Sequence, residues 1–325
     1  MSNHPRDRHV IVVGHGYDDY RTEEAILRPY GVGRVATTDP DDASFDEHLA
    51  DAEAIMVRET PITAEHIAAA PKLRVIVRYG IGVDSVDLEA ARERRVYVAN
   101  VPDYGAEDVS DHALALYLAL QRRIVSRDRA VRDGAWNVGQ SEPMRRSGTL
   151  RFGLVGFGRI ARALLRKLGA LGARDVLVCD PAFERAPEGT QLVDLATLVE
   201  RADVISLHAP LTSATRHMID AAMLARMKPD TILINTARGG LVDEQALVEA
   251  LRSGRLRAGL DVFETEPPAA DNLLFALDNV VLSDHTGWYS ETSIEELQSG
   301  AAQEVARVFS GQPPSSWVNR WDDGA

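Results

Sequence analysis

Short apolar runs alternate with longer stretches of helical period along nearly the whole chain. The first runs are HVIVV at 9–13, EAIMV at 53–57, LRVIV at 73–77 and VYVA at 96–99. A second series, FGLV, DVLVC, DVISL, TILIN and AGLDVF, falls between Phe152 and Phe263. Runs that are apolar on both faces and separated by helices predict parallel strands covered on both sides, an α/β protein. Two successive series predict two similar sheets, one per domain, and 325 residues favour that division over a single core.

Two helical stretches stand out. After the turn at Asn100 to Pro102, AEDVSDHALALYLALQRRIVSRDRAVRDG sets Val109, Ala113, Leu116, Leu120 and Ile124 on one stripe, with Leu114 and Leu118 on another side. A helix with two apolar faces needs two partners. One face is expected to pack on its own domain; the other suggests a subunit interface rather than deeper burial, hence a homodimer through the helix near 106–131. The last helix, near Thr292 to Phe309, aligns Ile294, Leu297, Ala301, Val305 and Val308 behind a Ser/Thr start suited to an N-cap.

Composition removes several function classes. A net charge of −13 argues against general affinity for nucleic acid or anionic lipid, both of which attract basic surfaces. Cys179 is the single cysteine, so no intrachain disulfide forms, and its place in an apolar run reads as a small buried strand residue rather than a reactive thiol. The start MSNHPRDRHVIVVG does not read as a signal peptide, and no window approaches the roughly 20 apolar residues of a membrane span, so a cytoplasmic protein is expected.

Chemistry first shows in GLVGFGRIARALLRKLGALGARDVLVCDP, from Gly153 to Pro181. The apolar run to Val155 reads as a strand, and Ile160, Leu164 and Leu168 repeat every four residues, so the glycines lie between strand and helix. Gly156 permits the tight turn, Gly158 lets backbone approach a pyrophosphate, and Ala161 lets the helix pack close to the strand. The helix N-terminus then meets the phosphates. The next strand ends at Asp180, 22 residues beyond Gly158, where a carboxylate can bind both ribose hydroxyls. Asp180 would repel a 2′-phosphate and the nearest downstream arginine is Arg185, so NAD is expected rather than NADP.

Of the nine histidines, His4 and His9 lie near the terminus and His48, His66 and His112 sit in helical patterns; no chemistry is expected of them. His285 differs by its company. It follows a strand in VVLSDHTGWYS, 19 residues after Glu266 in GLDVFETEPP and 47 after Arg238 in LINTARGGLVDE. All three sit past the ends of expected strands, where ligands bind in open parallel sheets. Reducing a 2-oxo acid needs a cation for the carboxylate and carbonyl, and an acid for the forming alkoxide. An arginine fork and an imidazole favoured in its charged form by a carboxylate supply both. On spacing alone, a turn-capping Arg238 and a surface-charged Glu266 remain equally good readings.

The segments GTLRFGLVGFGRIA, HAPLT, LARMKPDTILINTARGGLVDEQAL, GLDVFETEPP and the histidine segment, in this order, resemble the D-isomer-specific 2-hydroxyacid dehydrogenases from about Arg78 to Ser310. The resemblance implies that Arg238 binds the substrate carboxylate and carbonyl, that Glu266 partners His285 as general acid and base, and that Asp261 touches the nicotinamide carboxamide, with Thr236 and Ala237 beside it. It extends the cofactor site to Phe157, Arg159 and Ile160 in the elbow, to His208, Pro210 and Thr212 in HAPLT, and to Gly287. RYGIGVDSVD resembles the family's substrate loop: Arg78, Tyr79 and Gly80 lead to Ile81 and Gly82, whose N–H groups would receive the carboxylate. Arg58 in VRET falls where phosphoglycerate-type members bind a distal anion, the competing reading being a solvated charge after a strand. No metal is called for.

The implied fold is two Rossmann-like or flavodoxin-like doubly wound domains with a cleft between them. Residues 1–100 with 291–325 would form a discontinuous substrate domain and 101–290 the NAD domain. Two departures bear on function. Asp284 stands where the family usually has proline, and TGWYS resembles the C-terminal binding proteins, NAD-binding corepressors of the same fold with a tryptophan in the pocket. Trp288 would then shape the substrate site, or simply pack. Two functions follow: an NAD-dependent enzyme interconverting a 2-oxo acid and a D-2-hydroxy acid, and an NADH-sensing binding protein with incidental turnover.

Overall fold

The computed structural model describes residues 8–14, 16–136 and 144–321; His4 lies outside them. Two units emerge, one from the chain up to Gly105 together with the chain from Ser290 onward, the other Ala106–Tyr289.

The first unit holds five parallel strands, β1 (Val10–Val13), β2 (Val35–Thr38), β3 (Ala54–Val57), β4 (Val75–Arg78) and β5 (Tyr97–Ala99), in the order β2-β1-β3-β4-β5. Its short helices are α1 (Arg21–Leu27), α2 (Phe45–Asp51), α3 (Ala64–Ala69) and α4 (Leu88–Glu93). β1 and β3 are buried at every position, the reason their sequences are unbroken apolar runs. β2, at the sheet edge, reads VATT and buries only its first and last residues, so no apolar run marks it.

In the second unit the helices are α5 (Ala106–Gln121), α6 (Ile124–Arg132), α7 (Arg159–Ala170), α8 (Leu195–Arg201), α9 (Ala221–Arg226) and α10 (Glu244–Arg252). Its strands are β6 (Arg151–Val155), β7 (Asp175–Cys179), β8 (Gln191–Leu192), β9 (Val204–Leu207), β10 (Thr231–Asn235), β11 (Leu256–Leu260) and β12 (Val280–Leu282). All seven are parallel, in the order β12-β11-β10-β9-β6-β7-β8. One face buries Leu116 and Leu120 of α5 and Leu164 of α7 against Leu154, Ile232 and Ile234; the other buries Leu198 and Leu247 against Ile205, Leu233 and Ala258. The chain then returns to the first unit as α11 (Glu291–Phe309), capped by reciprocal Ser290 and Ser293 bonds, with Leu297, Ala301, Val305 and Val308 buried and Ile294 half-buried.

Both sheets therefore reverse strand order once, at β1/β3 and at β6/β9. Neighbouring connections leave in opposite directions there, which opens a crevice at the carboxyl ends of the strands. The helix expected near 106–131 is two helices. Arg123 takes a φ of +55°, which redirects the chain, so the buried stripe stops at Leu120 and Ile124 is 57% exposed. No described helix is long and apolar enough to cross a membrane.

Candidate active site

The glycine elbow sits at the β6/β9 switch point. Gly156 has a φ of +83°, and a β-carbon there would lie 2.8 Å from the backbone of His208 and Ala209, so only glycine fits. Gly158, the N-cap of α7, has an ordinary φ of −76°, and a β-carbon on it would meet nothing within 4 Å. Asp180 closes the elbow from β7: its carboxylate accepts the N–H of Phe157 at 2.7 Å and of Ala182 at 2.8 Å. Phe157 is buried, whereas Arg159 is exposed and Ile160 half-buried on the first turn of α7. Burial raises the thiol of Cys179, beside Asp180, against ionisation.

Past β9, the His208 N–H donates to the Val155 carbonyl at 2.7 Å, and Thr215 ties the segment by donating to the Pro210 carbonyl at 2.7 Å and accepting the Thr212 N–H at 2.8 Å. The His208 ring is stripped of solvent, which pushes it down to about 4 and keeps it neutral. Its Nε2 and the Thr236 Oγ1 are buried atoms without a hydrogen-bond partner among the described residues. Open space over Gly158, an anchored carboxylate and two unsatisfied polar atoms fit a dinucleotide, which would give those atoms partners.

Arg238, Glu266 and His285 lie 28 and 19 residues apart in the chain, yet the second sheet gathers them at neighbouring strand ends. Asn235, the last residue of β10, donates to the Arg238 carbonyl at 2.9 Å and accepts the Ala237 N–H at 3.1 Å, fixing the turn that carries Thr236, Ala237 and Arg238. Gly239 presses that turn onto the chain after β11, since a β-carbon there would lie 1.9 Å from the Phe263 carbonyl. Glu266 accepts the Phe263 N–H at 2.9 Å through Oε1, and its Oε2 lies 2.6 Å from His285 Nδ1. Burial pushes the Glu266 carboxyl up, but bonds from His285 and Phe263 and the charges of His285 and Arg238 outweigh it and hold the group below the usual range. An ionised Glu266 accepts the Nδ1 proton and leaves Nε2 of His285 for exchange.

The loop after β12 is pinned to Asp261. Its carboxylate accepts the Thr286 N–H at 3.0 Å and the Gly287 N–H at 2.9 Å, and is held well down, to about 2. Burial opposes that shift; the bonds from His112, Ser283 and Gly287 overcome it. Asp284 is exposed and accepts the Thr286 hydroxyl at 2.9 Å. Trp288 packs edge-on against Tyr289 at 5.8 Å.

In the first unit, Arg58 follows β3 and donates to the Gly16 carbonyl at 3.2 Å, with its guanidinium 5.7 Å from the Tyr17 ring. Arg78 donates to the Arg58 carbonyl at 3.0 Å and packs over Gly80, where φ is +141°. Tyr79 is 2% exposed and donates its hydroxyl to the buried Glu23 at 2.8 Å, leaving only its backbone to the loop. The Ile81 carbonyl accepts from Asn100 at 2.6 Å; Ile81 is exposed and Gly82 half-buried.

Three contributors escape a reading of the sequence. Asn235 and Ser283 are ordinary polar residues at strand ends, and His112 sits in an amphipathic helix; only tertiary contact distinguishes them. No group of three or more His, Cys, Asp or Glu side chains suited to a metal occurs among the described residues.

Comparison with known proteins agrees with this geometry. The D-isomer specific 2-hydroxyacid dehydrogenase, NAD binding domain, matches residues 114–287. A glyoxylate reductase from Korarchaeum cryptofilum is 40% identical over 284 residues, 84% of this chain and 85% of that protein. A D-3-phosphoglycerate dehydrogenase from Mycobacterium leprae is 42% identical over 289 residues, 86% of this chain but 53% of that protein, so the chain spans about half its length. Among solved structures, D-lactate dehydrogenase from Aquifex aeolicus in complex with NAD and lactic acid is 29% identical, with a TM-score of 0.83 over 93% of this chain and 96% of that one.

Proposed function

The chain belongs to the D-isomer specific 2-hydroxyacid dehydrogenase family and is an NAD-dependent 2-hydroxyacid oxidoreductase; from that premise we propose that its turnover runs through Arg238, Glu266 and His285. The observation that carries the proposal is the 2.6 Å contact of His285 Nδ1 with an ionised Glu266 that also feels the charge of Arg238.

In the reducing direction, the 2-oxo carbon gains a hydride and its oxygen gains a proton, giving a D-2-hydroxy acid. When bound, NADH supplies the hydride and its two electrons. Arg238 binds the substrate carboxylate and polarises the carbonyl, the planar fork serving both oxygens. His285, protonated and oriented by Glu266, gives the Nε2 proton to the developing alkoxide and recovers one from solvent, its side chain being 26% exposed. The Gly156–Gly158 elbow with the start of α7 holds the pyrophosphate, Asp180 the ribose, and the His208–Thr212 and Thr236–Ala237 segments the remaining cofactor surface. In the first unit, the N–H groups of Ile81 and Gly82 are assigned to the substrate carboxylate. Arg58 and Arg78, beside the β1/β3 switch point, favour oxo acids carrying a second anionic group.

His285→Gln should lower turnover by roughly 10² to 10⁴ with NADH binding retained. Stopped-flow reduction of a 2-oxo acid panel beginning with glyoxylate, beside an NADH fluorescence titration, measures both. Unchanged turnover would remove His285 from the mechanism. NADH-dependent assembly without turnover of any acid would favour the sensing protein.

The proposal includes a homodimer. α6 has no buried residue and exposes Ile124, Val125 and Val131. A nine-residue helix that buries nothing is not stable in water by itself, and a second copy of the α5–α6 pair supplies the missing apolar contact.

A further inference from the structure

Asp261, just past β11, organises the loop that carries His285. Its side chain is 2% exposed. Oδ1 accepts from Ser283 Oγ at 2.7 Å and from the Thr286 N–H at 3.0 Å, Oδ2 accepts from the Gly287 N–H at 2.9 Å, and the Asp261 carbonyl accepts the His285 N–H at 2.7 Å. Held this way, His285 has a φ of +57°, a conformation uncommon outside glycine that the surrounding contacts must impose.

One support of this loop comes from a distant element. His112, in α5, places Nε2 2.7 Å from Ser283 Oγ and 3.3 Å from Asp261 Oδ1. Ser283 has one proton and gives it to the carboxylate, so its oxygen accepts from the imidazole; Nε2–H of His112 heads a chain that runs through Ser283 to Asp261. The fit is tight. A β-carbon on Gly287 would lie 2.7 Å from Asp261 Oδ2 and 3.3 Å from the His112 ring.

We propose that His112 is a positioning residue for the reaction: its Nε2–H fixes Ser283 and Asp261, and through them the backbone that presents His285 to Glu266. The inference rests on reading His285 as the proton donor. Without the imidazole donor, Ser283 can turn away from the carboxylate, and the 283–287 loop loses one of its supports. A displacement of about 1 Å at a reacting group costs on the order of 10²-fold in rate, while the elbow that binds the dinucleotide is untouched.

The test compares His112→Leu, which keeps bulk without a donor, with His112→Gln, whose side-chain amide can donate from nearly the same place. With glyoxylate and NADH, His112→Leu should lower kcat by roughly 10- to 100-fold, and His112→Gln should recover it to within about fivefold of the parent. The dissociation constant for NADH should stay within about threefold in both. Equal kcat in the two variants, or a loss confined to NADH affinity, overturns the proposal. Ser283→Ala probes the other end of the chain and stands in if His112→Leu folds poorly. Combining it with the His112 change should cost little more than either alone, because both break one chain; additive losses also overturn it. His285→Gln separates this idea from its premise. An active His285→Gln refutes the premise, whereas an inactive one beside a fully active His112→Leu refutes only the positioning role.

Discussion

Gly156 and Gly158 stand two residues apart and tolerate opposite changes. Gly156→Ala must place a β-carbon at a φ of +83° and 2.8 Å from backbone atoms of His208 and Ala209, so it should destabilise the NAD-free protein by about 1–3 kcal/mol. Gly158→Ala has an allowed φ and no neighbour within 4 Å. It should leave apo stability within about 0.5 kcal/mol yet weaken NADH roughly tenfold or more, because the methyl group occupies the space a pyrophosphate needs. Urea unfolding and NADH titration of both variants check the pair. The glycine pattern and its following carboxylate were legible in the sequence because each serves a local geometric need. His112 was not, since a polar residue on an amphipathic helix looks the same whether it faces water or Ser283.

At the scale of elements, the turn after β10 decides where Arg238 points. Asn235 is 1% exposed and uses both ends of its amide, donating to the Arg238 carbonyl and accepting the Ala237 N–H. Asn235→Asp keeps the acceptor but sets an oxygen against the Arg238 carbonyl. A loss of about 1–3 kcal/mol in stability is expected, with a raised KM for the oxo acid as the guanidinium moves. Calorimetry and steady-state kinetics measure the two effects. Continuous valine and isoleucine runs made the central strands readable, because strands buried on both faces carry no polar alternation. VATT in β2 and the two-residue β8 escaped for the converse reason, and the break at Arg123 escaped because arginine is no helix breaker by composition.

Two predictions belong to the whole molecule. The first is its pH response. His208 is held down to about 4, against an unfolded value near 6.5. The unfolded chain therefore takes up that proton first, and the stability tied to His208 is complete above about 6.5 and lost as pH falls toward 4. Between pH 7 and pH 5 the NAD-free protein should lose about 2 kcal/mol more than His208→Leu in urea unfolding. Asp261, held at about 2, acts in a lower window: its stabilisation, about 2 kcal/mol, is present above about pH 4 and disappears as pH falls through 2. The second concerns assembly. Ile124 and Val131 lie seven residues apart on one face of α6 and are 57% and 49% exposed. Replacing both with aspartate should convert a dimer to a monomer by light scattering without unfolding either unit.

What the sequence by itself determined was everything governed by local rules: the α/β class from strand and helix periods, the dinucleotide elbow from glycine geometry, and NAD from a carboxylate at the end of the next strand. Arg238, Glu266 and His285 could be nominated because each follows a strand. Tertiary structure alone decided that β10, β11 and β12 lie side by side, so that residues 19 and 28 apart in the chain meet within hydrogen-bond reach. It also decided that Tyr79 turns inward to Glu23 and that His112 reaches Asp261. Such contacts depend on which surfaces pack together, and packing is a property of the folded whole that no local pattern of residue types encodes.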